Sequence, residues 1–260
     1  MEETNYNITT FRLACENARN SGDTKYCKEL IDTHHDEYSP DMNDNAFLSA
    51  CEFGLVDVAN YLLDKFEIKF YKYYGGAFII ASRKGFLGII KILMDLNHKY
   101  YQKIYNTYDE TIFGHEYSHV ECVLCQTCKN CGVTENACTQ NLGIDIANHY
   151  GIVQFIFDKY NTGIDSNTRE RCLRDSCSNN NCDIIYYLLM NNEFSLKVIK
   201  NNFITICENG NLELAKLFIK KYPQTDSKHI WKIYKNDFHD TKIREWFENG
   251  CRVKLIKACR

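Results

Sequence analysis

Three windows of the chain carry one pattern. Residues 45–63 read NAFLSACEFGLVDVANYLL, residues 76–94 read GAFIIASRKGFLGIIKILM, and residues 201–219 read NNFITICENGNLELAKLFI. Each opens with an apolar stretch, passes a small pair such as Ala50-Cys51, reaches Gly54, Gly85 or Gly210, and resumes with a second apolar stretch such as Val58, Ala59, Leu62 and Leu63. A glycine between two apolar stretches supplies the left-handed conformation that ends one helix, and an acidic residue such as Asp57 suits the start of the next. The pattern therefore predicts two helices folded back on each other, with small residues where the backbones approach. Neither helix hides its apolar face alone, so each pair needs neighbours. Gly54 and Gly85 lie 31 residues apart, and self-similarity at that period predicts a solenoid in which each unit packs on the next.

The same ruler extends along the chain. In RCLRDSCSNNNCDIIYYLL, residues 171–189, Asn180 takes the glycine position 30 residues before Gly210, and asparagine is the best substitute for glycine in a left-handed turn. Gly151, in IDIANHYGIVQFIF, stands 66 residues after Gly85, or two repeat lengths, which predicts one degraded or replaced repeat between them. The expected division is an all-α single array. It has a cap at 1–44 with a lengthened turn, repeats at about 45–75 and 76–105, and a degenerate cysteine-rich repeat or insert at 106–140. Repeats at about 141–170, 171–200 and 201–228 follow, then a capping repeat at 229–260, where Ile243, Trp246 and Phe247 stand for Ala59, Leu62 and Leu63. Around 137–157 a second phasing is open, with Asn141-Leu142 in the place of Asn211-Leu212. Pro40 and Pro223 are the only prolines and sit between helical patterns, so no proline-rich linker divides the chain. The connector FEIKFYKYY, 66–74, reads either as a hairpin-like finger with mutually packed rings or as an aromatic binding surface.

Composition narrows the function classes. A net charge of −3 over 260 residues supplies no overall attraction to nucleic acid or anionic membrane. No apolar run approaches the roughly 20 residues of a bilayer span, and MEETNYNITT is neither basic nor apolar enough for a secretory signal. The expectation is a soluble intracellular protein, bound to neither nucleic acid nor membrane. Fourteen cysteines invite a disulfide framework, but Cys15, Cys51, Cys177 and Cys207 share the position three residues before the glycine or its equivalent (Ala18, Gly54, Asn180, Gly210). A residue type that recurs at one repeat position fills a recurrent hole, as a small buried thiol does well.

Two constellations suggest chemistry. Cys122, Cys125, Cys128 and Cys131 form two Cys-x-x-Cys pairs, with Cys138 after them and His115 and His119 before. Such pairs aim two thiolates at one metal and make a structural zinc site a candidate, although only two residues separate the pairs. The alternative is a loop of free thiols. His115-Glu116-Tyr117-Ser118-His119 satisfies the HExxH pattern, in which two histidines hold zinc and the glutamate activates water, but Gly114 precedes it and the flanks do not make a long buried helix. No glycine-rich phosphate loop, nucleophile elbow or kinase signature is present.

The windows ACEFGLVDVANYLL, ASRKGFLGIIKILM and ICENGNLELAKLFI resemble ankyrin repeats: small residues, two variable positions, glycine, then an apolar helix ending in a leucine-rich run. The usual Thr-Pro-Leu-His opening is replaced by Asn45-Ala46-Phe47-Leu48, Gly76-Ala77-Phe78-Ile79 and Asn202-Phe203-Ile204. This variant is similar to the divergent ankyrin repeats encoded by giant DNA viruses of amoebae, and it covers about four fifths of the chain. The resemblance implies an ankyrin solenoid of stacked helix-turn-helix units with short finger loops. It implies a monomeric, non-enzymatic scaffold that binds a host or viral protein on a concave surface in the host cytoplasm, with no cofactor beyond the candidate structural zinc. In that frame the residues before each glycine flank the groove, which nominates Glu52, Phe53, Arg83, Lys84, His149, Tyr150, Glu208 and Asn209, together with Tyr71, Tyr73 and Tyr74 of the finger. The alternatives are a zinc module or metal-dependent hydrolase set in an ankyrin frame, or a substrate adaptor for host ubiquitin ligases. No F-box-like tail is recognisable in 227–260.

Overall fold

The structure is a computed structural model, and it describes residues 8–34, 39–68, 74–105, 113–130, 148–225, 230 and 239–249. Its described residues form helices joined by turns, with no strand among them. The chain divides into two compact units, Met1–Ile164 and Asp165–Arg260.

The first unit holds eight described α-helices: α1 Ile8–Ser21, α2 Lys25–His34, α3 Pro40–Phe53, α4 Val56–Lys65, α5 Tyr74–Lys84, α6 Leu87–Tyr105, α7 Phe113–Asn130 and α8 His149–Tyr160, followed by a 3-10 turn at Asn161–Gly163. They pair as antiparallel hairpins, and α1, α3, α5 and α7 pack in succession as one layer while α2, α4, α6 and α8 form the other. Helix α3 begins where Ser39 Oγ accepts the Met42 N–H and Pro40 takes the first helical position, where its missing N–H costs nothing. It ends where Gly54, at φ 69°, lets the Gly54 N–H reach Cys51 O at 3.2 Å and the Leu55 N–H reach Ala50 O at 2.9 Å. Gly85 closes α5 with the same pair of bonds, to Ser82 O and Ala81 O. This double bond satisfies carbonyls that a helix end otherwise leaves open. The interior is made of the small pairs and apolar stretches read from the sequence, with Ala50, Cys51, Val58, Ala59, Leu62, Ala81, Ile89, Ile90 and Leu93 all buried.

Three features of this unit differ from the expected phasing. Helix α1 runs one turn past Ala18, and Gly22, at φ 79°, ends it. That is the lengthened turn of the cap. The cysteine-rich segment is helical up to Asn130: it is α7, the first helix of a hairpin whose second helix is α8. Between α6 and the end of the unit there is one described helix pair, α7 and α8. Gly151 lies in the first turn of α8, behind the Asn148 N-cap, and it is not among the left-handed glycines.

The second unit contains α9 Ser166–Ser178, α10 Cys182–Asn191, α11 Leu196–Glu208, α12 Leu212–Lys221 and α13 Thr241–Glu248. Hairpin α9/α10 packs on hairpin α11/α12, first helix on first and second on second. Asn180, at φ 53°, and Gly210, at φ 73°, make the two left-handed turns, each with the same bond pair as in the first unit. The following helices start under asparagine caps: Asn181 Oδ1 accepts the Ile184 N–H and Asn211 Oδ1 the Leu214 N–H. Phe203 sits against Phe218, Trp246 and Phe247, with ring centroids 6.1–6.5 Å apart. Ile243, Trp246 and Phe247 thus bury the face expected of a final helix.

Candidate interaction surface

In the first unit α1 and the carboxyl ends of α3 and α5 bring several nominated residues to one edge. Arg12 of α1 makes a two-point contact with Glu52, Nη2 to Oε1 at 2.6 Å and Nε to Oε2 at 3.1 Å. The Arg12 guanidinium also lies 5.6 Å from the centre of the Phe53 ring. From the other side the Lys84 ammonium lies 5.7 Å from the same ring and 5.9 Å from that of Phe86. Phe53 is a half-exposed aromatic between two cations contributed by neighbouring helices. Arg83 stands exposed beside Lys84. The pair Arg12–Glu52 is solvated on one side, and a pair of that kind contributes no more than about 1 kcal/mol, so it orders the edge rather than holding the fold. Arg12 and Phe86 were not nominated from sequence. Arg12 falls outside the glycine frame, and Phe86 carries only the apolar signal of a core residue.

Beneath this edge the turns stack on one another. A Cβ on Gly54 would meet the Phe86 ring at 3.1 Å, and one on Gly85 would meet Asn148 N and the His149 ring at 2.9 Å. The Asn148 N–H donates to Gly85 O at 2.8 Å, and His149 Nε2 is 3.0 Å from Arg83 O. His149 is buried, and burial lowers its pKa below the ordinary histidine range; the neutral ring then donates its Nε2–H to that carbonyl. His149 therefore ties the start of α8 to the end of α5, from the first turn of a second helix rather than the end of a first one. Tyr150, next to it, is exposed.

The second unit places Glu208 and Asn209 at the end of α11, both exposed. The Asn209 amide, however, donates to Cys177 O of α9 at 2.9 Å, and the Asn211 amide donates to Asn180 Oδ1 at 2.8 Å. Asn209 is thus a rung between successive first helices, a role signalled in the sequence only by its place before Gly210. Tyr71 and Tyr73 lie outside the described residues, and of Tyr74 only the backbone, at the start of α5, is described.

Of the candidate zinc ligands, Cys125 and Cys128 are buried on α7 among Val120, Val123, Leu124 and Thr127. Cys131 and Cys138 lie outside the described residues, and the side chains of Cys122, His115 and His119 do as well. Among the described residues no three His, Cys, Asp or Glu side chains converge on one point. Burial raises the thiol pKa of Cys51 and Cys177, as expected of packing residues, and Cys15 and Cys207 are buried with them. Among the described residues no helix is long and apolar enough to cross a membrane. No protein-family model, curated protein or solved structure matches the chain.

Proposed function

We propose that this chain is a divergent ankyrin-repeat protein, of the kind giant DNA viruses of amoebae encode, and that it works without catalysis as an intracellular scaffold for a partner protein. Support comes from the recurrence of one turn. Gly54 and Gly85 in the first unit, and Asn180 and Gly210 in the second, carry the same left-handed conformation and the same bond pair about one repeat apart. Hairpins joined that way, first helix on first helix, make a repeat array, and such arrays offer extended surfaces rather than enclosed sites. The observation that carries the partner surface is the half-exposed Phe53 ring with Arg12 and Lys84 both within 6 Å of its centre. Half-exposed aromatics and arginines anchor interfaces more often than other residues do.

Affinity capture from host-cell extract with the full chain as bait, read by mass spectrometry, tests the proposal. The triple variant Phe53→Ala, Arg83→Ala, Lys84→Ala removes one exposed and two half-exposed side chains, and circular dichroism checks that it stays folded. A protein retained by wild type and lost by the triple variant is expected. Equal retention by both baits would place the interaction elsewhere and refute the surface, and the absence of any partner at stoichiometric level would refute the scaffold.

A further inference from the structure

One register position runs across the first helices of the first unit. In α3 the buried residues Ala46, Phe47, Ala50 and Cys51 lead to Glu52; in α5 Ala77, Phe78, Ala81 and Ser82 lead to Arg83; in α7 Val123, Leu124, Thr127 and Cys128 lead to Lys129. Helices α3, α5 and α7 pack in that order, so the three residues step along one edge and the charge changes sign between α3 and α5. The helix dipole favours a base at this position but does not impose one, since α3 and α11 carry Glu52 and Glu208 in their last turns. Glu52 is already met by Arg12 at 2.6 Å. Arg83 and Lys129 are exposed, and among the described residues neither side chain has an ion-pair or hydrogen-bond partner. Helix α5 contains no acidic residue. Beside the bases, cations and rings alternate: Arg12 to Phe53, Phe53 to Lys84, Lys84 to Phe86 and Phe86 to Arg19 lie 5.6, 5.7, 5.9 and 4.6 Å apart, cation to ring centre. Such contacts hold long side chains in place, so less freedom is lost when a partner docks.

Resting on the scaffold function proposed above, we infer that the partner meets this edge with an acidic peptide segment: its carboxylates face Arg83, Lys84 and Lys129, and an apolar side chain covers the half-exposed Phe53 ring. Charge complementarity selects that occupant. The chain as a whole carries −3, so an extended polyanion such as nucleic acid gains no attraction from the molecule at large. A short run of carboxylates instead engages the local bases within the screening length of the solvent. Arginine takes a carboxylate through two N–H donors at once, as Arg12 does with Glu52. Exposed pairs of this kind set encounter rate and partner choice more than raw affinity, and the aromatic ring supplies the apolar contact that the charges lack.

The test titrates the full chain into fluorescein-labelled peptides of one length, each with a central tryptophan flanked by glutamate, glutamine or lysine, and reads anisotropy at low and high salt. The glutamate peptide is expected to bind about tenfold tighter than the glutamine peptide and to weaken as salt shortens the screening length. Arg83→Gln with Lys129→Gln, its fold checked by circular dichroism, should bring the glutamate peptide down to the level of the glutamine one. Arg83→Glu with Lys129→Glu should turn the preference to the lysine peptide. The inference is overturned by equal binding of the glutamate and glutamine peptides, by no binding of either, by glutamate binding that survives both double substitutions, or by tighter binding of a thymidine oligonucleotide of equal charge. A partner captured from extract and not displaced by excess glutamate peptide also refutes the acidic segment while leaving the scaffold standing. Capture of no partner at all removes the scaffold instead, whatever the peptides do.

Discussion

Replacing a glycine by alanine should have opposite effects at two positions nine residues apart. Gly85 adopts φ +77°, a conformation that costs an L residue about 1–2 kcal/mol. An added Cβ would also stand 2.9 Å from Asn148 N and from two atoms of the His149 ring. A backbone nitrogen cannot swing aside, so relief requires moving the start of α8. That movement stretches the bond from the Asn148 N–H to Gly85 O, now 2.8 Å, and the His149–Arg83 contact, now 3.0 Å, each worth on the order of 1 kcal/mol. Gly85→Ala should therefore cost the first unit about 2–4 kcal/mol. Gly76 lies in α5 with nothing within 4 Å of its Cβ position and no left-handed backbone, so Gly76→Ala should stabilise by about 0.5–1 kcal/mol through lower unfolded-chain entropy. Both tryptophans, Trp231 and Trp246, belong to the second unit, so tryptophan fluorescence is the wrong probe. Hydrogen exchange resolved to peptides of α5 through α8, with urea unfolding followed by circular dichroism, reads the first unit. Equal protection in Gly85→Ala and wild type, or a larger loss in Gly76→Ala than in Gly85→Ala, would refute the stacked-turn account.

The remaining two predictions concern buried polar groups in the same unit. Because burial lowers the His149 pKa in the fold, the unfolded chain takes up the proton first. The contribution is complete above the unfolded value, about pH 6.5, and is lost as pH falls from there through the folded pKa. His149→Gln should flatten the decline of first-unit stability below pH 6.5, and an unaltered pH profile would contradict it. Ser82 occupies the position that Cys51 and Cys207 hold in their repeats, yet its hydroxyl is buried with no hydrogen-bond partner among the described residues. Ser82→Cys should raise stability by on the order of 1 kcal/mol; chemical denaturation decides, and a loss would mean the hydroxyl has a partner.

How legible these features were in the sequence depends on what each residue had to do. Gly54, Gly85, Gly210 and Asn180 could be found because a left-handed turn admits almost no other residue, and the buried column Cys15, Cys51, Cys177 and Cys207 because one hole recurs. Gly151 misled for a physical reason: a glycine in the first turn of a helix looks the same in sequence as one that ends a helix. The sign of the difference was Asn148, three residues earlier, whose side chain accepts the Gly151 N–H as an N-cap does. The cysteines of α7 were read for metal spacing, but three-residue steps are also helical spacing, and Cys125 and Cys128 fall with Val120, Val123 and Leu124 on the buried face. Asn209 looked like an exposed contact because a side chain that bonds a carbonyl one repeat away leaves no trace in local pattern.

Turn contacts also explain why the period breaks where it does. Gly54 lies under Phe86, Gly85 under Asn148 and His149, and Gly210 under Asp240: in each case the partner belongs to the start of a later second helix, whatever length of chain lies between. Helices α3 and α4 are joined by Gly54 and Leu55 alone, whereas α7 and α8 are separated by residues 131–148. The buried faces that meet across this hairpin, Val120, Val123 and Leu124 on α7 and Ile152, Val153, Ile156 and Phe157 on α8, each contribute about 1.5–3 kcal/mol. Those faces hold α7 on α8 although 18 residues lie between the helices in sequence, so the sequence ruler is interrupted while the helices keep their neighbours. A spacing of two periods between Gly85 and Gly151 is therefore compatible with a single hairpin, because packing registers which faces meet and the sequence ruler registers only how much chain was spent in between.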